Sequence, residues 1–515
     1  MKAINPKVQK HLLPQPAVAK RLNSQVFKKV FKLKASDLVC LFLFLIPLLT
    51  SAQDLVFDKN LQEAYDLALN LRTEEALLKI PEQNSVEEVY IASLAETIEL
   101  LITEDNTKFS QYEEKFQKRL DKNFKGAQRD YQFLQAEIRL QWAFIYFKFG
   151  HELDAALHLR QAYQIAEGCK EKFPEYLPIL KTTGILQIIV GSVPDKYNWV
   201  LSLLNMSGSV GSGLADLKTV GTSASYLGLE GRLLLALVQG FVLQQPEAGL
   251  KEMKQVLVHQ KGNRLALFLS ASLALKNSQN EVALQMLKNL SDSTVGIPLY
   301  YADYLKGEAY LQKGDYLNSI SSFRWFISHQ TGQNYIKDAY YKIGLCYWLN
   351  GNENDALAVF KEARNKGKEV TEADKSAARN LSEKVPPNIK LSKIRYLTDG
   401  GYYQEAEKIV AGLTSMDLLE KKDQVEYYYR KARLAHKMNK PEAAELYQLT
   451  INMTGPEHWY FAPNACLQLG YIYQSQNKIK EAEEYFQRAL NYQRHEYKNS
   501  IDSKARSALA QLGRI

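Results

Sequence analysis

The sequence predicts an all-α fold: a superhelical solenoid of antiparallel helix pairs, with an irregular Gly/Pro-rich helical insert in the middle. Three observations predict it. Leu, Ala, Tyr, Lys, Glu and Gln dominate the 515 residues while Val-Ile-Thr alternation is scarce, which favours helix over strand. Small residues recur at matched spacings inside Leu- and Tyr-rich stretches. The chain is 46% hydrophobic and 24% charged, an ordinary globular composition. Its length suits about three or four domains or one extended array. The expected divisions are a targeting segment (1–52), an N-terminal helical region (53–173), the insert (174–246) and a C-terminal array (247–515).

Residues 1–52 hold Lys2, Lys7, Lys10, Lys20, Arg21, Lys28, Lys29, Lys32 and Lys34 against Asp37, which accounts for the whole net charge of +8. Residues 53–515 are therefore balanced, and nothing in that balance suggests nucleic acid, whose binding rests on phosphate neutralisation. The apolar run Leu38–Leu49 has the length of a signal-peptide core and is short of the roughly 20 residues that span a bilayer. Thr50-Ser51-Ala52 offers small residues before Gln53, so cleavage after Ala52 and export are expected. A mitochondrial presequence competes, because no acid precedes Asp37; the single Arg and the strong apolar core weigh against it. An uncleaved anchor is a third reading. Cys40 lies inside the apolar run, so no lipid-attachment signal is seen. Cys169, Cys346 and Cys466 are too far apart for a disulfide framework or zinc spacing and read as small core residues.

The stretch NACLQLGYIYQSQNKIKEAEEYFQRAL, from Asn464 to Leu490, carries Gly470 inside a helix, where glycine costs about 1 kcal/mol relative to alanine. A close helix crossing offsets that cost. Counting from Pro463, Gly470 and Ala482 take the small slots of a helix pair that turns near Ser475–Lys478; Leu469, Tyr473, Phe486 and Ala489 fill the large and remaining slots. The same slots recur as Gly307, Tyr310, Gly314 and Phe323, and as Gly344, Tyr347, Gly351, Ala356, Phe360 and Ala363. Upstream, Ala143, Tyr146, Gly150, Ala155 and Ala162 fit as well. Weaker copies lie at 264–297 (Ala271, Ala283), 387–420 (Gly401, Ala406) and 424–457 (Ala443, Tyr447, Pro456). On these residues the chain resembles the tetratricopeptide repeat family. The resemblance implies stacked helix pairs whose core lies between neighbouring repeats.

Residues 174–246 depart from the repeat. Pro174, Pro178 and Pro194 punctuate them, and glycine is dense. Apolar helices are expected around Ile179–Gly191 and Tyr197–Leu204, then a turn, a short helix, and a long helix around Ser225–Leu243. The order KTTGILQIIVGSVPDKYNWVLSLLNMSGSVGSGLADL resembles a segment of the eukaryotic tetratricopeptide family associated with the mitochondrial outer membrane and inclusion-body clearance. That resemblance brings no catalytic residues, and an export signal would depart from it.

Chemistry-bearing motifs are sparse. Gly208–Gly213 (GSVGSG) lacks the Lys-Ser/Thr of a phosphate-binding loop and has no strand before it, so it reads as a turn between helices. His151 and His158 stand seven apart with Glu152 and Asp154 nearby, but no HExxH occurs and no ligand set converges, so solvated turn and helix residues are expected. There is no G-x-S-x-G elbow and no local Cys-His signature. Neither metal nor cofactor is expected. A helix near Asn198–Leu204 is compatible with membrane contact, but a core helix is the better reading.

The family resemblance puts the first helix of each unit on a concave face. Its ligand-facing slots map to Tyr301, Tyr304, Glu308 and Leu311, then to Asp338, Tyr341, Leu345 and Trp348, then to Asn464, Leu467, Tyr471 and Gln474. The set is aromatic and nearly uncharged, without the Lys/Arg/Asn cluster that clamps a peptide carboxylate. It implies a groove for an extended peptide or apolar helix, with Tyr301, Tyr304, Tyr341, Trp348 and Tyr471 as partner-binding residues. The competing reading is that these rings pack against neighbouring helices. The leading functional expectation is a non-enzymatic scaffold, exported to the periplasm or the periplasmic face of the outer membrane, binding a protein or peptide partner and no nucleic acid. It leaves room for peripheral association with a membrane or membrane protein. The alternative is a mitochondrial membrane-associated protein of protein quality control or lipid handling. An enzyme would need a cleft that gathers distant His, Asp or Glu.

Overall fold

The computed structural model describes residues 54–124, 126–192, 205–292 and 295–513. The targeting segment and the expected helix Tyr197–Leu204 lie outside them. Twenty-four α-helices and no strand occur among the described residues. From Leu55 onward the chain is one compact unit.

The N-terminal block comprises α1 (Lys59–Leu69), α2 (Thr73–Leu78), α3 (Val86–Thr103) and α4 (Asn106–Leu120). Ser85 starts α3 with a capping box, accepting from the Glu88 amide while the Glu88 side chain accepts from the Ser85 amide. Helices α5 (Gln128–Lys148) and α6 (Glu152–Lys172) form the first antiparallel pair, turning at Gly150, whose φ of +84° suits glycine. Ala143, Tyr146, Ala155 and Ala162 of this pair are all buried, as the repeat pattern requires.

The middle section is α7 (Leu177–Gly191), α8 (Val210–Thr222) and α9 (Gly228–Leu237), the last running into a π-helical turn, Val238–Val242. Its glycines are crossing points. A Cβ on Gly213 would sit 2.4 Å from the Gly184 carbonyl oxygen, and one on Gly208 would sit 2.6 Å from the Gly191 amide. The GSVGSG stretch thus brings α8 into backbone contact with α7, and Ser209 caps α8 by accepting from the Ser212 amide at 3.3 Å. One core cluster runs from Leu55 through Ile179, Leu186 and Val220 to Ala283, so the section packs continuously with its flanks. A buried polar knot pins it. The Lys181 ammonium on α7, 1% exposed, donates to Glu137 on α5 (2.7 Å), Glu230 on α9 (2.7 Å) and Tyr90 on α3 (3.0 Å). Tyr65 on α1 also donates to Glu230, at 2.7 Å.

After α10 (Pro246–His259) the pairs are regular: α11 (Arg264–Lys276) with α12 (Asn280–Ser291), α13 (Tyr301–Lys313) with α14 (Tyr316–His329), and α15 (Ile336–Leu349) with α16 (Glu353–Arg364). The small slots act as expected. A Cβ on Gly307 would meet the Phe323 ring at 2.7 Å, one on Gly344 the Phe360 ring at 2.6 Å, and one on Gly470 the Phe486 ring at 2.4 Å. In each pair the glycine admits the ring of the second helix, and that packing offsets its helix penalty.

A single helix, α17 (Glu372–Ser382), then intervenes. The fully buried Asp374 carboxylate caps α17 through Thr371 and also accepts the Tyr335 and Asp338 amides (3.0 and 3.1 Å) at the start of α15. The remaining helices are α18 (Ile389–Gly400), α19 (Tyr403–Ala411), α20 (Lys421–Lys437), α21 (Ala443–Thr454), α22 (Phe461–Ser475), α23 (Ile479–Asn491) and α24 (Lys498–Gln511). The superhelix winds tightly enough for distant turns to touch. Thr331 donates to the Thr103 carbonyl (2.6 Å), and Ser507 on α24 donates to the Val242 carbonyl (3.1 Å). No described helix is long and apolar enough to cross a membrane.

Candidate functional site

Stacked helix pairs of this kind line their concave side with the first helices, here α11, α13 and α15, and α18 lies on all three. A Cβ on Gly400 would sit 3.0 Å from the Gln312 Cβ of α13, and one on Gly401 2.1 Å from the Ser278 carbonyl oxygen just after α11. The chain's own helix therefore occupies the upstream part of the concave face.

Under α18 the slot residues are paired within the protein. Tyr304, 4% exposed, donates to Asp338 (2.6 Å) and accepts from Lys342 (2.9 Å). Lys342 forms ion pairs with Asp338 (2.6 Å) and Glu308. Burial works against the Lys342 charge, but Asp338 and Glu308 hold its pKa above the ordinary lysine range. Burial in turn pushes the Glu308 carboxyl up, against the pull of Lys342. Tyr301 stacks on Tyr304 with centroids 5.2 Å apart and touches Tyr335 and Phe268. Tyr471 lies edge-on to Phe486 at 5.3 Å.

Beyond α18 the face opens into a cavity of about 1040 Å³, framed by α15, the 383–388 loop, α18, α20 and the segments entering α22 and α24. Tyr341 and Trp348 line it, joined by Tyr396, Tyr460, Phe461 and Tyr497. Trp348 is held by an indole N–H bond to the Pro387 carbonyl (2.8 Å), and Tyr460 and Tyr497 pack edge-to-face at 5.1 Å. Of the five residues expected to bind a partner, the cavity thus gathers Tyr341 and Trp348, whereas Tyr301, Tyr304 and Tyr471 do not line it.

The wall is also more charged than the slot residues suggest. Arg379, Arg395, Lys422 and Arg430 alternate with Glu383, Asp423, Glu426 and Glu496. Arg430 donates to Glu426 (2.7 Å) and to the Tyr460 hydroxyl (2.7 Å), and Asn388 donates to Asp423 (3.0 Å). Burial raises the Asp423 carboxyl, against the Asn388 hydrogen bond that lowers it. It raises Glu496 as well, with Lys422 and Arg379 opposing. The charges come from α17, the 383–388 loop, α18, α20 and the loop before α24, outside the slots read from the clear repeats. The sequence signal was present: Arg395 and Arg430 sit in the middle of first helices, where an apolar side chain would be ordinary. Among the described residues no histidine or cysteine lines the cavity; its rings, amides and charged groups offer ring stacking, hydrogen bonding and charge pairing.

The other singled-out groups are structural. Cys169, Cys346 and Cys466 are buried free thiols, each with its pKa pushed up by burial. His158 stacks on Tyr146 (5.3 Å) and meets Phe116 (5.2 Å); burial keeps its pKa below the usual value, so it is a packed ring, not a solvated one.

Family models of the tetratricopeptide repeat match residues 304–370 and 463–496, so the chain carries tetratricopeptide repeats over those stretches, a scaffold for protein–protein interaction. Neither stretch includes residues 174–246. No curated protein matches the sequence. Among solved structures, the human IFIT1 dimer with PPP-AAAA is 14% identical, covering 86% of this chain and 96% of that one at a TM-score of 0.30. Yeast Tom70 is 13% identical, covering 88% and 81% at a TM-score of 0.23.

Proposed function

We propose that the protein is a non-enzymatic scaffold that seats an extended peptide or helix of a partner protein in the cavity between α15, α18, α20 and α22. The supporting observation is that cavity of about 1040 Å³, left open where α18 ends its cover of the concave face. It is at the upper end of the roughly 300–1,000 Å³ common for ligand sites. Aromatic rings supply contact area at low entropic cost, and the alternating Arg and Glu side chains select a segment bearing both charges.

The test is a photo-reactive amino acid in place of Tyr497, introduced in the native host. The full chain is expected to capture one discrete partner, and Tyr341→Ala with Trp348→Ala is expected to abolish the capture. Trp325→Ala, at a side chain 55% exposed on α14, serves as the control. Capture undiminished by the double substitution would refute this seat.

The basic-then-apolar segment 1–52 supports export to the periplasm or the periplasmic face of the outer membrane. N-terminal sequencing of the native protein decides it. A start at Gln53 supports export, whereas a cut inside the basic stretch supports the mitochondrial alternative.

A further inference from the structure

The cavity's cationic wall does not stop at Arg395 and Arg430. Arg430, Arg433 and Lys437 follow Glu426 at steps of three and four along α20, so all four share the face of that helix that carries the wall. Asp399, near the end of α18, joins the two regions. Arg433 donates to it at 2.9 Å, and Arg395 approaches it at 3.8 Å. Two more cations converge from other elements. Lys276 ends α11, and its Nζ stands 5.4 Å from the ring centre of Phe241 in the π-helical turn. Helix α24 is fastened to the two residues after Phe241, with Ser507 donating to the Val242 carbonyl (3.1 Å) and Gln511 to the Leu243 carbonyl (3.4 Å). Lys504 lies one turn before Ser507 on that side of α24. The end of α18 reaches the same place, because Gly401 packs against the carbonyl of Ser278, which follows Lys276 by two residues.

We propose that Lys276, Arg433, Lys437 and Lys504 form the basic end of the partner seat and hold a run of Asp and Glu side chains in the partner's segment. This rests on the reading of the cavity as a peptide seat and names the chemistry of one end of its occupant. Among the described residues Asp399 is the one acid paired with any of the four, and Arg395 shares it; Lys276, Lys437 and Lys504 make no ion pair there. Lys437 is exposed and the other three are half-buried, so water reaches all four. Their enclosure nonetheless works against their charge. Burial depresses Lys276; burial and Arg433 depress Lys437, with Asp399 opposing; burial, with Lys276 and Arg433, holds Lys504 at about 8. Carboxylates from a partner would offset that mutual repulsion. A nucleic acid fits less well. A strand running from the basic end into the cavity would carry its phosphates past Asp423, Glu426 and Glu496, whereas a peptide can change charge between the basic end and the mixed wall.

Calorimetric titration of the full chain with acetylated hexaglutamate amide tests this. Hexaglutamate is expected to bind, hexaglutamine and hexalysine are not, and the binding weakens as salt rises from about 50 to 200 mM. Lys276→Gln with Lys437→Gln and Lys504→Gln is expected to weaken it about tenfold or more. Lys251→Gln with Lys254→Gln and Lys261→Gln removes the same charge from exposed positions on and just after α10, and is expected to weaken it less than about twofold. Circular dichroism accompanies both. Should the first triple variant lose helix, Lys437→Gln and Lys504→Met decide singly, each at a loss of about two- to threefold. Hexaglutamate that fails to bind, or that binds both triple variants alike, overturns the proposal. So does hexauridylate held more tightly than hexaglutamate through the same lysines. The cross-link placed at Tyr497 separates this end from the seat itself. A captured segment without an acidic run overturns the basic end and leaves the seat. Capture indifferent to Tyr341→Ala with Trp348→Ala, beside hexaglutamate binding that needs the three lysines, removes the seat and supports the basic end.

Discussion

Replacing Lys181 by methionine removes the cation from the knot that fastens the middle section. The ammonium reaches Glu137 and Glu230, both at 2.7 Å, with all three side chains nearly inaccessible to water. After the change Glu137 keeps the Thr182 hydroxyl (2.6 Å) and Glu230 keeps the Tyr65 hydroxyl (2.7 Å), but two carboxylates remain buried without a counter-charge. Breaking one partner from a buried ion pair costs about 3–5 kcal/mol, and that is the expected loss at neutral pH. Adding Glu230→Gln to Lys181→Met recovers part of it, because only one charge is then left unpaired. The pH dependence has a definite sign. Burial opposes the Lys181 charge, but Glu137 and Glu230 raise its pKa above the ordinary value. The stabilisation is therefore full below about pH 10.4, the unfolded-chain value, and lost only at more alkaline pH. The native protein shows no loss from this group near neutrality. Repeat arrays unfold in parts, so the assay is native-state hydrogen exchange resolved over α3, α5, α7 and α9. A loss below about 1 kcal/mol at pH 7 would contradict the knot's role.

Gly344→Ala gains about 1 kcal/mol of helix propensity but places a methyl 2.6 Å from the Phe360 ring, for a net loss of about 1–2 kcal/mol in urea unfolding; Phe360→Leu in the same chain relieves it. Gly213→Ala costs more than Gly344→Ala in that assay, since its methyl meets the Gly184 carbonyl oxygen at 2.4 Å and backbone cannot yield as a ring does. Burial, with Lys437 and Arg433, depresses His436 to about 4. The unfolded chain therefore takes up a proton between about pH 6.5 and 4 that the folded chain refuses, and His436→Gln flattens the stability loss over that window in acid titration. Burial, with Lys276 and Arg433, depresses the Lys504 amine to about 8. Its charge opposes folding at pH 7, and the penalty fades as pH rises from about 8 to 10.4; Lys504→Met is expected to raise the melting temperature at pH 7 and to have little effect at pH 10.

The helix pairs were legible because their determinants are local. Gly470, Ala482 and Phe486 lie within one unit, and the slots they occupy recur at near-constant spacing. Tyr341 and Trp348 could be placed together on α15 for the same reason, and both line the cavity, Tyr341 as a buried ring stacked on Phe360. The cover over Tyr301 and Tyr304 was not. Residues 387–420 read as one more copy of the repeat, and nothing in Gly401 or Ala406 announces that α18 turns inward onto α11, α13 and α15. The cavity's charged wall was hidden similarly. Arg379, Arg395, Arg430 and Glu496 converge through the winding of the superhelix, which accumulates over several units. The Lys181 knot joins residues up to 165 positions apart, counted from Tyr65 to Glu230, beyond the reach of any spacing rule. The glycines at 184, 191, 208 and 213 were visible as a composition, but their role as paired backbone crossings required the partner helix.

The central claim is that α18 fills the upstream concave face and leaves the cavity beside Tyr341 as the open seat. Cysteines at Gly400→Cys and Gln312→Cys test it directly. The Cβ positions are 3.0 Å apart, close enough that a small adjustment reaches the roughly 3.5–4.5 Å of a disulfide. Quantitative cross-linking on mild oxidation of the natively folded double variant, with the helical signal retained, is the predicted result. Two cysteines that stay reduced and freely alkylated in a folded chain would show that α18 does not lie there, and the assignment of the seat would fall with it.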